Sequence, residues 1–470
     1  MIWLVVRKEL RSLWRDGRLL LLGISLFCLF IGVLAVSAAA TASARSERDG
    51  VGATARAQWE RQGVKHPHRA AHFGLYVFKP VMPLAAVDPG IGDQVGQSLW
   101  LEPHKRNPTR HSPAADAPPS ARLGTAAPAF MLSVLIPLLV IGLGHNAVTQ
   151  ERESGTLRML HAAGLRGSAL LFGKWLALVI AVGILLLPAL AASAWLLGPP
   201  DHADETVRTA LYGLGLLVYY AVFAALAVAL SARLRSSRSA LLLLLCMWMT
   251  AVWVVPRLGA AAADAWLPVP TGEAFAAAVA HDMQHGLPGD ADAAGRLAAF
   301  EAQLLGDNGV TRLEDLPFGA NAARRIFRDA YATRVYALHF GQLWNRYAAQ
   351  QNIVRAAGLL SPLVPMRGLS AALAGTDLAH QRHFEEAAEA YREYFTVQID
   401  EWDRHARRGV VSAEDKYADD AQWQAVAPFA YRAPSVAFAL AKAMPDVLVL
   451  FAWFVAATAA VGWAARKVEP

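Results

Sequence analysis

The chain has 470 residues, 55% of them hydrophobic and only 17% charged, and a formal net charge of +6. The charged share lies below the quarter usual for soluble domains, which argues for an integral membrane protein with soluble portions. Cytoplasmic Lys and Arg account for the basic excess without a nucleic-acid partner. The two cysteines, Cys28 and Cys246, both fall inside apolar runs and leave no disulfide framework for the soluble parts.

Residues 1–18 read as an amphipathic helix. Trp3, Val6, Leu10, Leu13 and Trp14 recur at helical spacing, and Arg7, Lys8, Arg11, Arg15 and Arg18 supply positive charge. That is the pattern of a helix lying in the membrane interface. Residues 19–40 form a first span, longer than the apolar region of a signal peptide. Five more spans are expected at 128–148, 175–197, 209–230, 240–261 and 447–464. Positive charges gather on one side: Arg7 to Arg18, then Arg152, Arg158, Arg166 and Lys174, then Arg233, Arg235 and Arg238, then Arg466 and Lys467. The loop 198–208 instead carries Asp201, Asp204 and Glu205 against Arg208. The positive-inside rule then places both termini in the cytoplasm.

The expected fold class is an α-helical polytopic membrane protein with six transmembrane helices and two extracytoplasmic insertions. The first insertion, 41–127, is rich in Pro and Gly in its second half, and its most ordered part is the strand-like run 73–78. The second, 262–442, reads as mainly helical. Phe340, Trp344 and Tyr347 share one helical face, and Phe384, Ala388, Tyr391, Phe395, Ile399 and Trp402 form a longer stripe. The face opposite that stripe carries Glu385, Glu386, Glu389, Glu393, Asp400 and Asp403 and is expected to be solvated.

No span holds an ionisable residue near its middle, unlike ion-coupled carriers. The nearest approach to a nucleotide loop, Gly167 to Gly173-Lys174, has one residue too many and Trp175 where Ser or Thr is required. The chain is therefore expected to be non-catalytic, with no cofactor of its own and an external source of energy.

Where that energy enters is suggested by the polar segment at 149–174, wedged between two spans. Glu151-Arg152-Glu153-Ser154-Gly155-Thr156-Leu157-Arg158, a short hydrophobic helix and Gly173-Lys174 resemble the cytoplasmic coupling region of ABC-2-type exporter permeases. Ser154 or Thr156 is expected to cap the short helix, with Glu151 and Glu153 complementing its dipole. Outside the membrane, Pro67 to Tyr76, Phe78-Lys79-Pro80, Ser98 to Lys105, Leu360-Ser361-Pro362, Leu369 to Asp377, His383-Phe384 and Ala390-Tyr391-Arg392 resemble a subfamily with large extracytoplasmic insertions. The resemblance implies a bacterial inner-membrane permease that docks on separate ATPase subunits, which hold ATP and Mg. It also implies pairing with itself or with a similar permease, and contact with a periplasmic partner. The alternatives are an ABC complex that transmits mechanical work without moving a solute, and a membrane-anchored metal-binding protein or metalloenzyme.

The metal reading rests on His66, His68, His72 and His104, with His111 beyond. His-x-His on a strand, or His68 and His72 one helical turn apart, would share an ion such as zinc or copper. His281-Asp282-Met283-Gln284-His285 resembles the metalloprotease helix, but Asp replaces its Glu and Gly286-Leu287-Pro288 ends the helix at once.

Overall fold

A computed structural model describes residues 1–116, 127–196, 203–412 and 414–468. Asp201 of the acidic loop and the end of the third span at Leu197 lie outside the described residues. Among those described, six helices are long and apolar enough to cross a membrane: Leu19–Glu60, Pro128–Glu153, Gly167–Trp195, Asp204–Arg233, Ser237–Trp266 and Val436–Arg466. The chain is a multi-pass membrane protein. The spans share one apolar core that includes Leu34, Ile141, Leu171, Leu216, Val228 and Val461. Leu21, Leu187, Leu448 and Phe451 point away from it as the surface a bilayer covers.

The second and fifth spans each carry a wider, π-type turn, Met131–Leu135 and Thr250–Val254, just before Pro137 and Pro256. Proline has no N–H to close the ladder, so carbonyls one turn back need other donors. Tyr219 Oη donates to Ser133 O and Tyr220 Oη to Leu132 O, both at 2.8 Å. Ser361 Oγ donates to Ala251 O at 2.6 Å. Side chains from neighbouring segments thus complete the ladders and tie the bundle together.

The helix of the first span does not end at residue 40. It runs unbroken over Arg18–Glu60, 43 residues, because residues 41–60 replace apolar side chains with Ala, Arg, Glu and Gln, which leave the membrane without leaving the helix. The loop-rich reading of 41–127 therefore applies only beyond Glu60. The sixth span likewise starts earlier than expected, at Val436.

Beyond Glu60 a short helix, Pro67–Ala71, leads into strand β1, Leu75–Phe78, which pairs antiparallel with β2, Ser98–Leu101, Leu75 opposite Leu101. Leu75, Val77, Leu99 and Leu101 pack on Phe384, Ala388, Phe395 and Ile399 of the helix Leu378–Ala406. Trp59, fully buried, donates through Nε1 to Trp423 O at 3.1 Å. The two insertions form one body through this shared core, and a second, smaller apolar cluster gathers at Val279, Tyr331 and Val335.

Two expectations fail along Leu378–Ala406. Trp402 is 37% exposed and stacks on Tyr417, outside that core. Of the six acidic residues, Asp400 and Asp403 are buried and paired with Arg325, Glu389 is paired with Arg392, and Glu386 is the exposed one. The face opposite the apolar stripe is covered by the helix Ala320–Ala356 rather than by water.

Nor does all of 262–442 lie outside. Ala320–Ala356 ends in a turn at 357–361, and the chain reverses into Leu363–Ala374. Leu363, Met366, Leu369 and Leu373 belong to the core of the spans. Trp453 Nε1 donates to Gly358 O at 2.8 Å, and Ser361 meets Ala251. Both contacts fall near the middle of a span, so the turn dips deep into the bundle. Irregular backbone is tolerated at that depth because protein surrounds it, with Ser361 completely buried. The apolar run is too short to be recognised as a span.

Candidate functional site

The polar segment after the second span folds as two short helices, Thr149–Glu153 and Thr156–Ala162, separated at Gly155, whose φ of 75° is the left-handed conformation that favours glycine. Gly155 takes the capping position, and neither Ser154 nor Thr156 caps the second helix. Thr156 Oγ1 turns back instead to Glu151, donating to its backbone oxygen at 3.1 Å and to its carboxylate.

Glu151 is the centre of a charge network. Its Oε1 lies 2.9 Å from Lys8 Nζ and 3.2 Å from Lys174 Nζ, and Glu9 Oε1 receives the same two amines at 2.8 and 2.7 Å. Two cations and two carboxylates balance, which is what allows the Lys174 side chain to be 97% covered. Through them the interface helix Ile2–Arg15, the polar segment and the third span are joined. The neighbouring residues reach the other spans. Arg152 donates to Leu234 O at 2.6 Å and Ala232 O at 2.9 Å, where the fourth span leaves carbonyls unpaired. Glu153 accepts from Ser237 N at 2.6 Å and Ser237 Oγ at 2.9 Å at the start of the fifth. Leu157 is fully buried. Ser154, Gly155, Arg158 and Met159 form the face turned to solvent, Met159 being 72% exposed.

The outer body holds a second constellation. His68 lies within Pro67–Ala71 and His72 at its end, so one helical turn brings their Nε2 atoms to 3.2 Å. His104, in the tight turn after β2, places its Nε2 3.5 Å from that of His68 and its Nδ1 against Asp329 of Ala320–Ala356. Among the described residues these three histidines are the one group of three metal-ligating side chains brought together. His66 does not join them. It caps the short helix, its Nδ1 accepting from His68 N at 3.1 Å, and its ring packs on Tyr417. His111 is bound to Ser98 Oγ at 2.6 Å. His281 and His285 stack with ring centroids 4.4 Å apart, but Asp282 is engaged by His339 Nε2 at 2.8 Å. Burial, with Arg325 and the other two histidines adding to it, holds the His68 imidazole down to about 2, and burial and His104 also lower His72. Asp329 was not foreseeable, since it lies 225 residues from its partner in sequence.

Six apolar spans, a charged connection locked to four other elements and a large body beyond the spans make up this membrane protein. Residues 108–259 match the ABC-2 family transporter protein model, and residues 273–432 match a domain of unknown function (DUF3526). No curated protein matches the chain. The chain thus carries an ABC-2-type permease domain, with an extra helical domain beyond it.

Proposed function

We propose that this permease couples ATP hydrolysis on separate ATPase subunits to export or to work on the far side of the membrane. The observation that carries the reading is the Glu151 network. A partner pressing on the exposed Arg158–Met159 face pushes a unit already bonded to the interface helix and to the third, fourth and fifth spans. The Lys- and Arg-rich ends of the spans support a reading in which that face and both termini lie in the cytoplasm, and the family resemblance supports a bacterial inner membrane. The functional unit is a dimer with itself or with a similar permease, and the ATP and Mg belong to the partner. Mechanical transmission without solute transport is favoured over export by one feature, the unbroken helix that joins the first span to the outer body.

The test is affinity purification of the untruncated permease from its native membrane, followed by ATPase assay of what accompanies it. Arg158→Glu with Met159→Ala removes the exposed contacts and keeps Leu157 and Glu151 in place, so the expected result is loss of the accompanying ATPase. Full retention of the ATPase and of its activity by this variant overturns the proposal.

A further inference from the structure

We propose that His68, His72 and His104 bind a divalent zinc or copper ion, with Asp329 as the residue that positions His104. An ion held at the 2.0–2.1 Å zinc–nitrogen distance with tetrahedral angles sets neighbouring ligand atoms about 3.3 Å apart. The Nε2 pairs here stand at 3.2 and 3.5 Å, and the three ligand atoms all lie within 4.8 Å of one another.

The protonation pattern agrees with that geometry. Asp329 stands against His104 Nδ1, where a carboxylate accepts an N–H, and in that tautomer the lone pair of Nε2 faces the other two rings. Histidine ligands to metals are commonly oriented in this way by a carboxylate.

Two buried polar atoms at the site, His68 Nδ1 and Asp329 Oδ2, have no hydrogen-bond partner. His104 itself is held at a φ of 64°, a conformation that non-glycine residues rarely adopt. Orphaned atoms and a strained backbone at one spot are what a binding site retains and a purely stabilising contact does not.

The donor set is three imidazoles with no thiolate, which suits zinc and copper(II) and disfavours magnesium or calcium. His72 is exposed, so the ion has an entry path and a fourth position open to water or to a ligand. The three histidines and Asp329 come from the short helix, the turn after β2 and the long helix Ala320–Ala356, so a bound ion ties three parts of the outer body together.

The experiment uses the full chain in detergent, free of any polyhistidine tag and stripped with a chelator, then titrated with Zn²⁺, Cu²⁺ and Mg²⁺. The expected result is stoichiometric binding with Cu²⁺ tighter than Zn²⁺, no competition by Mg²⁺, and the visible absorption of tetrahedral cobalt when Co²⁺ is added. His72→Ala removes the exposed ligand and is expected to weaken Zn²⁺ binding by more than tenfold. Asp329→Asn keeps all three ligands and weakens it by about 10–100-fold. His281→Ala, away from the cluster, leaves it unchanged. Absence of stoichiometric binding overturns the proposal, as does unchanged affinity in His72→Ala and Asp329→Asn. Should either variant unfold in the metal-free state, the cobalt spectrum of the unsubstituted chain decides, an octahedral spectrum counting against the site.

Discussion

Arg325 sits 93% covered between two carboxylates, its Nε 2.8 Å from Asp400 Oδ1 and its Nη2 on Asp403, to which Tyr417 also donates. Removing the cation leaves two acids in a low-dielectric site, so Arg325→Met is expected to destabilise the outer body by about 3–5 kcal/mol. Thermal unfolding, followed with limited proteolysis to locate the change, checks this. Burial pushes the Asp400 carboxyl up to about 6, against the pull of Arg325 and with help from Asp329 and Asp403. The folded chain then holds this proton more tightly than the unfolded one, whose value is near 3.8. The contribution is complete below that lower value and is lost as pH rises through about 6. Asp400→Asn is therefore expected to flatten the fall in melting temperature between pH 4 and 6. These acids were legible in sequence only as a charged face, because helical periodicity assigns a face but cannot say whether another helix, 75 residues away, supplies an arginine to cover it.

Among the elements, the polar segment at 149–174 was the most readable, since a charged run between two apolar ones has to lie at a membrane surface. What its side chains do was not readable. Glu151 looked like a dipole partner for the next helix and is instead the common acceptor for Lys8 and Lys174. Glu151→Gln takes one of two anions from a nearly sealed ammonium group and is expected to cost about 1.5–3 kcal/mol. The released N-terminal helix then becomes more readily cleaved by trypsin at Arg15, and unchanged digestion would count against the network. Just before β1, Gly74 has a φ of 72°, and a Cβ there would strike the Trp100 indole. The backbone term alone gives Gly74→Ala a penalty on the order of 1–2 kcal/mol, read as a lower melting temperature. The turn-and-return at 357–374 escaped recognition because a 12-residue apolar helix is ordinary in a soluble domain. The contacts of its tip with Ala251 O and Trp453 Nε1 reveal where it lies.

For the whole molecule, hydropathy was enough for the six spans, since burying apolar surface and pairing every backbone group leave few alternatives in lipid. The union of the two insertions was not visible, because Trp59 and Trp423 are 364 residues apart and no local pattern encodes their contact. Trp59→Ala is expected to cost about 3–5 kcal/mol and to raise hydrogen exchange in β1, β2 and Leu378–Ala406 while leaving the spans protected. Equal protection in both variants would show that the shared core does not depend on this anchor.

The helix Arg18–Glu60 joins the interface helix through Gly17, a left-handed residue with no side chain crowding it, and ends at Trp59 in the outer core. Its 43 residues make a stiff rod of about 65 Å, so ten degrees of tilt about the Gly17 end carries the far end roughly 11 Å. That is mechanical gain without any moving part between input and output. Under the proposed coupling, a tilt begun near the charged corner would be carried, enlarged, to β1, β2 and the histidines.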